Sequence, residues 1–214
     1  FRIWAALLVI AVALLWANDA APARQDGGFD VPGREVRAGR AVLTAKWEQA
    51  LARHRQSLAE AACGESGRGC EVSDWRRFLA GLVDRPMGEQ LARVNRYMNG
   101  FRYVTDRRNW GRDDYWAAPQ ELFRRGGDCE DYVIAKYLSL RALGVPAAAM
   151  RVVVLHDLGR DQPHAVLVVL GDGEAHVLDN LYRRVMTWRD LRRNYVPLYS
   201  LNEDTAWVHA RPRG

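Results

Sequence analysis

Cys129 follows Gly126-Gly127-Asp128 and opens a stretch of helical periodicity, which places its sulfur in the first turn of a helix. Unpaired backbone N–H groups and the helix dipole at that end favour a thiolate over a thiol. The two glycines allow a substrate backbone to come close. A thiolate nucleophile also needs a partner that takes and returns a proton, and a group that orients that partner. His164 begins the second of three β-rich runs and Asp179 lies near the end of the third, so from adjacent strands the two can share one sheet face. Helix Cys, strand His and strand Asp, in that order, permit a catalytic triad. An isolated cysteine is more often a small buried hydrophobe, but its place in Gly-Gly-Asp-Cys favours the nucleophile. The other histidines, His54, His156, His176 and His209, read as surface or structurally satisfied groups.

Carboxylates crowd this cysteine. Asp128, Glu130 and Asp131 are its immediate neighbours, and like charge raises a thiol's pKa. One reading is capping, with Asp128 as N-cap and Asp131 three residues on. The other is a bound cation. Oxygen ligands without paired His or Cys suit Ca²⁺ better than zinc, and Asp113 and Asp114 offer more oxygens from a preceding loop. The two readings are compatible. Trp110, Tyr115 and Trp116 around that loop read as core or cleft wall, with substrate lining as a further use.

The elements that position these groups follow from hydrophobic period and punctuation. Residues 42–62 have a helical pattern through Trp47, Leu51 and Leu58; Ser73 is expected to cap a second helix through Phe78, Leu79 and Leu82. Pro86 opens a third, with Leu91, Val94, Tyr97 and Met98 inward and Gly100 ending it. A helical turn over 119–123 is broken by Gly126-Gly127, and the Cys129 helix runs to Gly144-Val145-Pro146. Runs over 149–155, 165–170 and 176–181, the last two joined by Gly171-Asp172-Gly173, predict an antiparallel sheet. A helix with Trp188 and Leu191 and a strand near 195–199 close the chain. The fold class is α+β, with helices on one face of an antiparallel sheet.

The 214 residues carry a formal charge of +5, nearly all of it arginine, since Lys46 and Lys136 are the only lysines. About half the residues are apolar, which excludes a disordered chain. After Arg2, an apolar run from Ile3 to Ala17 is shorter than the roughly 20 residues of a bilayer span. With Ala21-Pro22-Ala23 it reads as a signal peptide over residues 1–23, or else as an uncleaved N-terminal anchor. Residues 24–40, rich in Gly, Arg and Asp, read as a linker or arm, and residues 41–214 as a single domain. Export argues against nucleic acid as the partner of the positive charge, and a solvated basic face is the default reading. It also makes a Cys63–Cys70 disulfide the expected state across the Gly-rich loop between them, leaving Cys129 unpaired.

Four segments together resemble a known family: Asp-Tyr-Trp-Ala-Ala-Pro-Gln-Glu (114–121), Gly-Gly-Asp-Cys-Glu-Asp-Tyr-Val-Ile-Ala-Lys-Tyr (126–137), Pro-His-Ala-Val-Leu (163–167) and Leu-Asp-Asn-Leu (178–181). They are similar to the LapG family of bacterial transglutaminase-like cysteine proteases, over roughly residues 75–199. The resemblance implies a papain/transglutaminase-like core, with Cys129 as nucleophile, His164 as general base and acid and Asp179 as orienting carboxylate. It implies Ca²⁺ near Asp128, Glu130 and Asp131. It further implies a periplasmic endopeptidase that cleaves a large surface adhesin at a dialanine site near its N-terminus, releasing it and dispersing biofilm. The implied partner is the periplasmic domain of an inner-membrane cyclic di-GMP receptor. Two other functions use the same residues: a transglutaminase or amidase with the same triad, and a calcium-binding interaction module without catalysis.

Overall fold

The computed structural model describes Phe29 and residues 34–38, 45–60 and 71–210. The signal or anchor segment, Cys63 and Cys70 lie outside the described residues. No helix among the described residues is long and apolar enough to cross a membrane.

The strands are β1 (Arg34–Ala38), β2 (Met150–Asp157), β3 (Gln162–Gly171), β4 (Glu174–Leu178), β5 (Met186–Thr187), β6 (Tyr195–Leu201) and β7 (Ala206–Ala210). They form one sheet in the order β1-β7-β6-β2-β3-β4-β5, and every neighbouring pair is antiparallel. The β3–β4 turn is two residues long, because Gly171 pairs with Glu174. Asp172 and Gly173 both take positive φ, 53° and 75°, which matches the strand twist.

Seven α-helices, α1 (Ala45–Glu60), α2 (Glu71–Ala80), α3 (Met87–Met98), α4 (Asp106–Trp110), α5 (Pro119–Arg125), α6 (Cys129–Ala142) and α7 (Trp188–Leu191), and a short 3-10 turn over Ala147–Ala149 complete the described chain. Helix α6 is apolar almost all round, as a helix in the middle of a core must be. Its Ile134, Tyr137 and Leu140 pack with Val152, Leu167 and Val169 of the central strands, and α1 to α3 add Trp47, Trp75, Leu91 and Met98 to the same core. The opposite sheet face is not bare. Val153, Leu155, Val166 and Val168 pack there with Phe29, Trp188 and Leu191 in a second, smaller core. The expectation of helices on one face only is thus too simple. Burial on both faces is why β2 and β3 read as continuous apolar runs rather than alternating ones.

Two sequence readings change, and one short helix was not expected. Ser73 lies inside α2 and not at its cap, since the helix starts at Glu71. Residues 34–38, within the stretch read as a linker or arm, form strand β1 along β7. The strand shows no apolar pattern because its side chains, Glu35, Val36 and Arg37 among them, face solvent; main-chain pairing at a sheet edge holds it. Helix α4, one short turn, has too little length for a periodic signal.

Lys136 is the outlier of the main core. It is fully buried on α6, its Nζ has no hydrogen-bond partner, and the ammonium lies 5.9 Å from the Tyr132 ring centroid. Burial pulls the ammonium down to about 7, against an attraction from Asp179. The group binds its proton more weakly folded than unfolded, so below about pH 7 the full penalty is present, and stability rises as pH climbs toward the unfolded value of 10.5. Lys136→Met is expected to raise neutral-pH stability by about 1–4 kcal/mol and to flatten the rise between pH 7 and 10. Urea unfolding at several pH values measures both; parallel pH curves for the two proteins would contradict it.

Candidate active site

Cys129 is the first residue of α6, with Asp128 as N-cap. The approach to it is tightly built. Gly126 has φ +79°, and a Cβ there would lie 2.3 Å from the Arg102 carbonyl oxygen; a Cβ on Gly127 would lie 2.2 Å from Asp131 Oδ2. Residues 102–104 pass alongside: Gly127 N–H donates to Arg102 O and Val104 N–H donates to Gly127 O. The glycines therefore admit the protein's own chain and the Asp131 carboxylate. That corrects the expectation that they make room for substrate.

His164 sits on β3 and is nearly fully buried. Its Nε2 donates to Asp179 Oδ1 at 2.9 Å, which leaves Nδ1 as the ring nitrogen for proton exchange. Asp179 follows β4 directly and is completely buried. Its Oδ1 also accepts the Leu181 N–H at 2.9 Å, and its Oδ2 accepts the Tyr195 hydroxyl at 2.7 Å. Burial alone would raise this carboxyl, but the hydrogen bond and charge of His164, with the Leu181 and Tyr195 donors, hold it below its ordinary range. The carboxylate is thus ionised and its partner imidazole is fixed in the Nε2–H tautomer.

The sulfur is in the opposite situation. Burial pushes the Cys129 thiol far up, and the Glu130 and Asp128 carboxylates push it further, while the Ala165 N–H opposes them. The thiol donates to Glu130 Oε2 at 3.1 Å. The expected gain from the helix N-terminus is outweighed by burial and two carboxylates.

Those carboxylates belong to a larger acidic cluster. One oxygen each from Asp106, Asp128 and Asp131 lie within 4.8 Å of one another, and so do oxygens of Asp106, Asp114 and Glu130. Asp131 accepts Ala117 N–H at 2.6 Å and Asp128 N–H at 3.1 Å, so it performs the capping read from sequence. Asp128 Oδ2 accepts the Asp106 N–H, and Asp106 Oδ2 accepts the Tyr115 N–H. Asp106 Oδ1 and Asp128 Oδ1 are buried without any hydrogen-bond partner. Burial and mutual repulsion raise Asp106 to about 6 and Asp128 to about 7, and raise Glu130 and Asp131 as well. Orphaned oxygens of this kind, in groups made of carboxylates alone, suit a hard divalent cation.

Of the residues singled out by sequence, Asp128, Glu130, Asp131 and Asp114 meet here. Asp113 does not, because it pairs with Arg107 at 3.0 Å on the surface, and Asp114 is shared with Lys46. Asp106 was missed; its only sequence signal is the Thr105-Asp106 pair before a short helix. Tyr195 was missed too, since nothing in the sequence ties strand β6 to Asp179. Trp116 is buried and lines the cleft over the acidic residues.

Two adjoining clefts meet at the candidate nucleophile, with Tyr103, Cys129, Gln162, Pro163 and His164 as shared wall. One, of about 370 Å³, runs past Arg160 and Asn180. The other, of about 390 Å³, runs over Asp114, Asp128 and Glu130. An extended chain lying through both would present one of its peptide bonds to Cys129.

A family model described as bacterial transglutaminase-like cysteine proteinase, BTLCP, matches residues 60–213. Among solved structures, calcium-bound Legionella pneumophila LapG is 32% identical with a TM-score of 0.61, covering 78% of this chain and 90% of that one. EGTA-treated LapG from the same organism is 32% identical with a TM-score of 0.62, covering 78% and 87%. No curated protein matches the chain significantly.

The Gly127 packing yields a direct test. Gly127→Ala drives a methyl group into the Asp131 carboxylate and forces it off the Ala117 and Asp128 N–H groups. We expect a loss of about 1–3 kcal/mol in urea unfolding, and an unchanged midpoint would show that the Asp131 contacts do not hold the loop.

Proposed function

Because this chain belongs to the bacterial transglutaminase-like cysteine proteinase family, and so is a cysteine protease of transglutaminase-like fold, we propose that it is a calcium-dependent endopeptidase whose triad is Cys129, His164 and Asp179. The observation that carries the triad is the His164–Asp179 hydrogen bond of 2.9 Å at a cleft whose wall also includes Cys129. His164 Nδ1 takes the thiol proton as Sγ attacks the scissile carbonyl carbon, forming the C–S bond. The imidazolium, steadied by Asp179, then gives that proton to the leaving amine as the C–N bond breaks. A water, deprotonated by the same nitrogen, hydrolyses the thioester and restores the thiol. The Cys129 backbone N–H, in the first turn of α6, supplies one oxyanion donor.

Asp106, Asp128 and Glu130, with Asp114 and Asp131 beside them, would hold the calcium. When bound, it supplies positive charge that offsets the carboxylates next to the sulfur. The relative solved with calcium, LapG, supports this reading, as do the orphaned Asp106 and Asp128 oxygens. From the family resemblance we further propose the periplasm as location, and as substrate a surface adhesin cut at a dialanine site near its N-terminus, which promotes biofilm dispersal. The proposed regulatory partner is the periplasmic domain of an inner-membrane cyclic di-GMP receptor.

Incubation with a dialanine-containing adhesin fragment tests the activity. Cys129→Ala and His164→Ala should abolish cleavage with little change in melting temperature, and Asp179→Asn should cut it severely. Cleavage by Cys129→Ala at the wild-type rate would rule out the triad, and cross-linked rather than cleaved products would indicate acyl transfer to amines.

Chelation should slow both cleavage and alkylation of Cys129 by iodoacetamide, and calcium, not zinc, should restore them. Asp106→Asn should weaken calcium binding in calorimetric titration of the metal-stripped protein while all three triad residues remain. Equal alkylation rates with and without calcium would remove the electrostatic role given to the ion.

A further inference from the structure

Asp179 is gripped by more than its imidazole. The Tyr195 hydroxyl reaches it from β6 at 2.7 Å, and the Tyr195 ring meets the His164 ring edge-on, with centroids 5.9 Å apart. Tyr195 is itself 2% exposed, so its bond to the carboxylate is shielded from bulk solvent. One side chain therefore touches both members of the His–Asp pair. The Oδ1 atom serves His164 and Leu181, and Oδ2 has Tyr195 as its hydrogen-bond donor.

We propose that Tyr195 is a positioning residue for this protease: its hydroxyl fixes the plane of the Asp179 carboxylate, and its ring fixes the His164 imidazole, so that Nδ1 is aimed for proton transfer. The inference rests on the triad reading given above. Without the hydroxyl, Oδ2 becomes a buried acceptor with no donor. The carboxylate is then free to turn, or to take up a proton, and either loosens the tautomer that His164 needs. The titratable groups around this pair are Lys136 on α6, with Asp157 at the end of β2 and Tyr182 after β4. None of these three groups hydrogen-bonds Asp179 Oδ2, and so none takes over from the Tyr195 hydroxyl.

Tyr195→Phe removes one oxygen and keeps the ring and its volume. In the calcium-loaded protein acting on the dialanine adhesin fragment, kcat should fall about ten- to a hundredfold, the range for a lost hydrogen bond to a charged group, with KM little changed. The acid limb of the pH–rate profile should move to higher pH, because a carboxyl robbed of a donor takes up its proton more readily. In the Asp179→Asn background the same substitution should cost almost nothing more, since Tyr195 acts through Asp179. A Tyr195→Phe protein that loses thermal stability yet keeps the wild-type kcat and pH profile would overturn the proposal. So would equal losses in the wild-type and Asp179→Asn backgrounds. Cys129→Ala and Asp179→Asn run alongside separate the two ideas: if Asp179→Asn is as active as wild type, the triad reading fails, whereas an impaired Asp179→Asn beside an unaffected Tyr195→Phe defeats only the role of Tyr195.

Discussion

Negative charge buried at the start of a buried helix is the constraint around which this molecule is arranged. Helix α6 runs through the core, and the backbone N–H groups of its first turn need partners there. Asp131 meets part of that need by accepting two backbone N–H groups, one from the helix start and one from the Ala117 segment. The price is a carboxylate in low dielectric, and Asp106, Asp128 and Glu130 compound it. The same residues that shape the loop also oppose ionisation of the sulfur they present. A divalent cation resolves both difficulties at once, which is why structural and catalytic roles of calcium would be hard to separate at this site.

The sheet answers a different demand. His164 lies on β3 and Asp179 directly after β4, adjacent strands whose register is fixed by pairs such as Leu167–Leu178. With apolar cores on both faces, a slip of one residue would exchange the sides of every buried side chain. The His–Asp contact thus inherits its precision from the hydrophobic pattern of β3 and β4. Lys136 is the exception to that pattern, an ammonium within the main core with Asp179 as the anion that draws on it.

Much of this was legible in the sequence, and unevenly. Cys129, His164 and Asp179 stand out because a helix start and two β-rich runs can be read locally, and the structure pairs His164 with Asp179. The acidic neighbours were visible because they are contiguous with the cysteine. Asp106 and Tyr195 were not, because each enters through tertiary contact: Asp106 joins through its N–H bond to Asp128 at the α6 start, and Tyr195 by arriving on a strand paired with β2. The strand β1 was hidden for the reverse reason, since an edge held by main-chain bonds needs no apolar code. The role assigned to Gly126 and Gly127 changed because sequence shows that space is needed but not who fills it.

The nitrogen by which His164 holds Asp179 has a geometric consequence. With Nε2 engaged, the proposed triad leaves Nδ1 to exchange the proton, an atom only two bonds from Cβ and close to its own main chain. An imidazole used this way has almost no reach, and rotamer changes cannot make up a shortfall. The nucleophile must be brought to the strand, and the influence of the Ala165 N–H on the sulfur shows how near to the β3 backbone it comes. The working distance of this site is therefore a packing distance, set by how closely the end of a helix lies on a sheet.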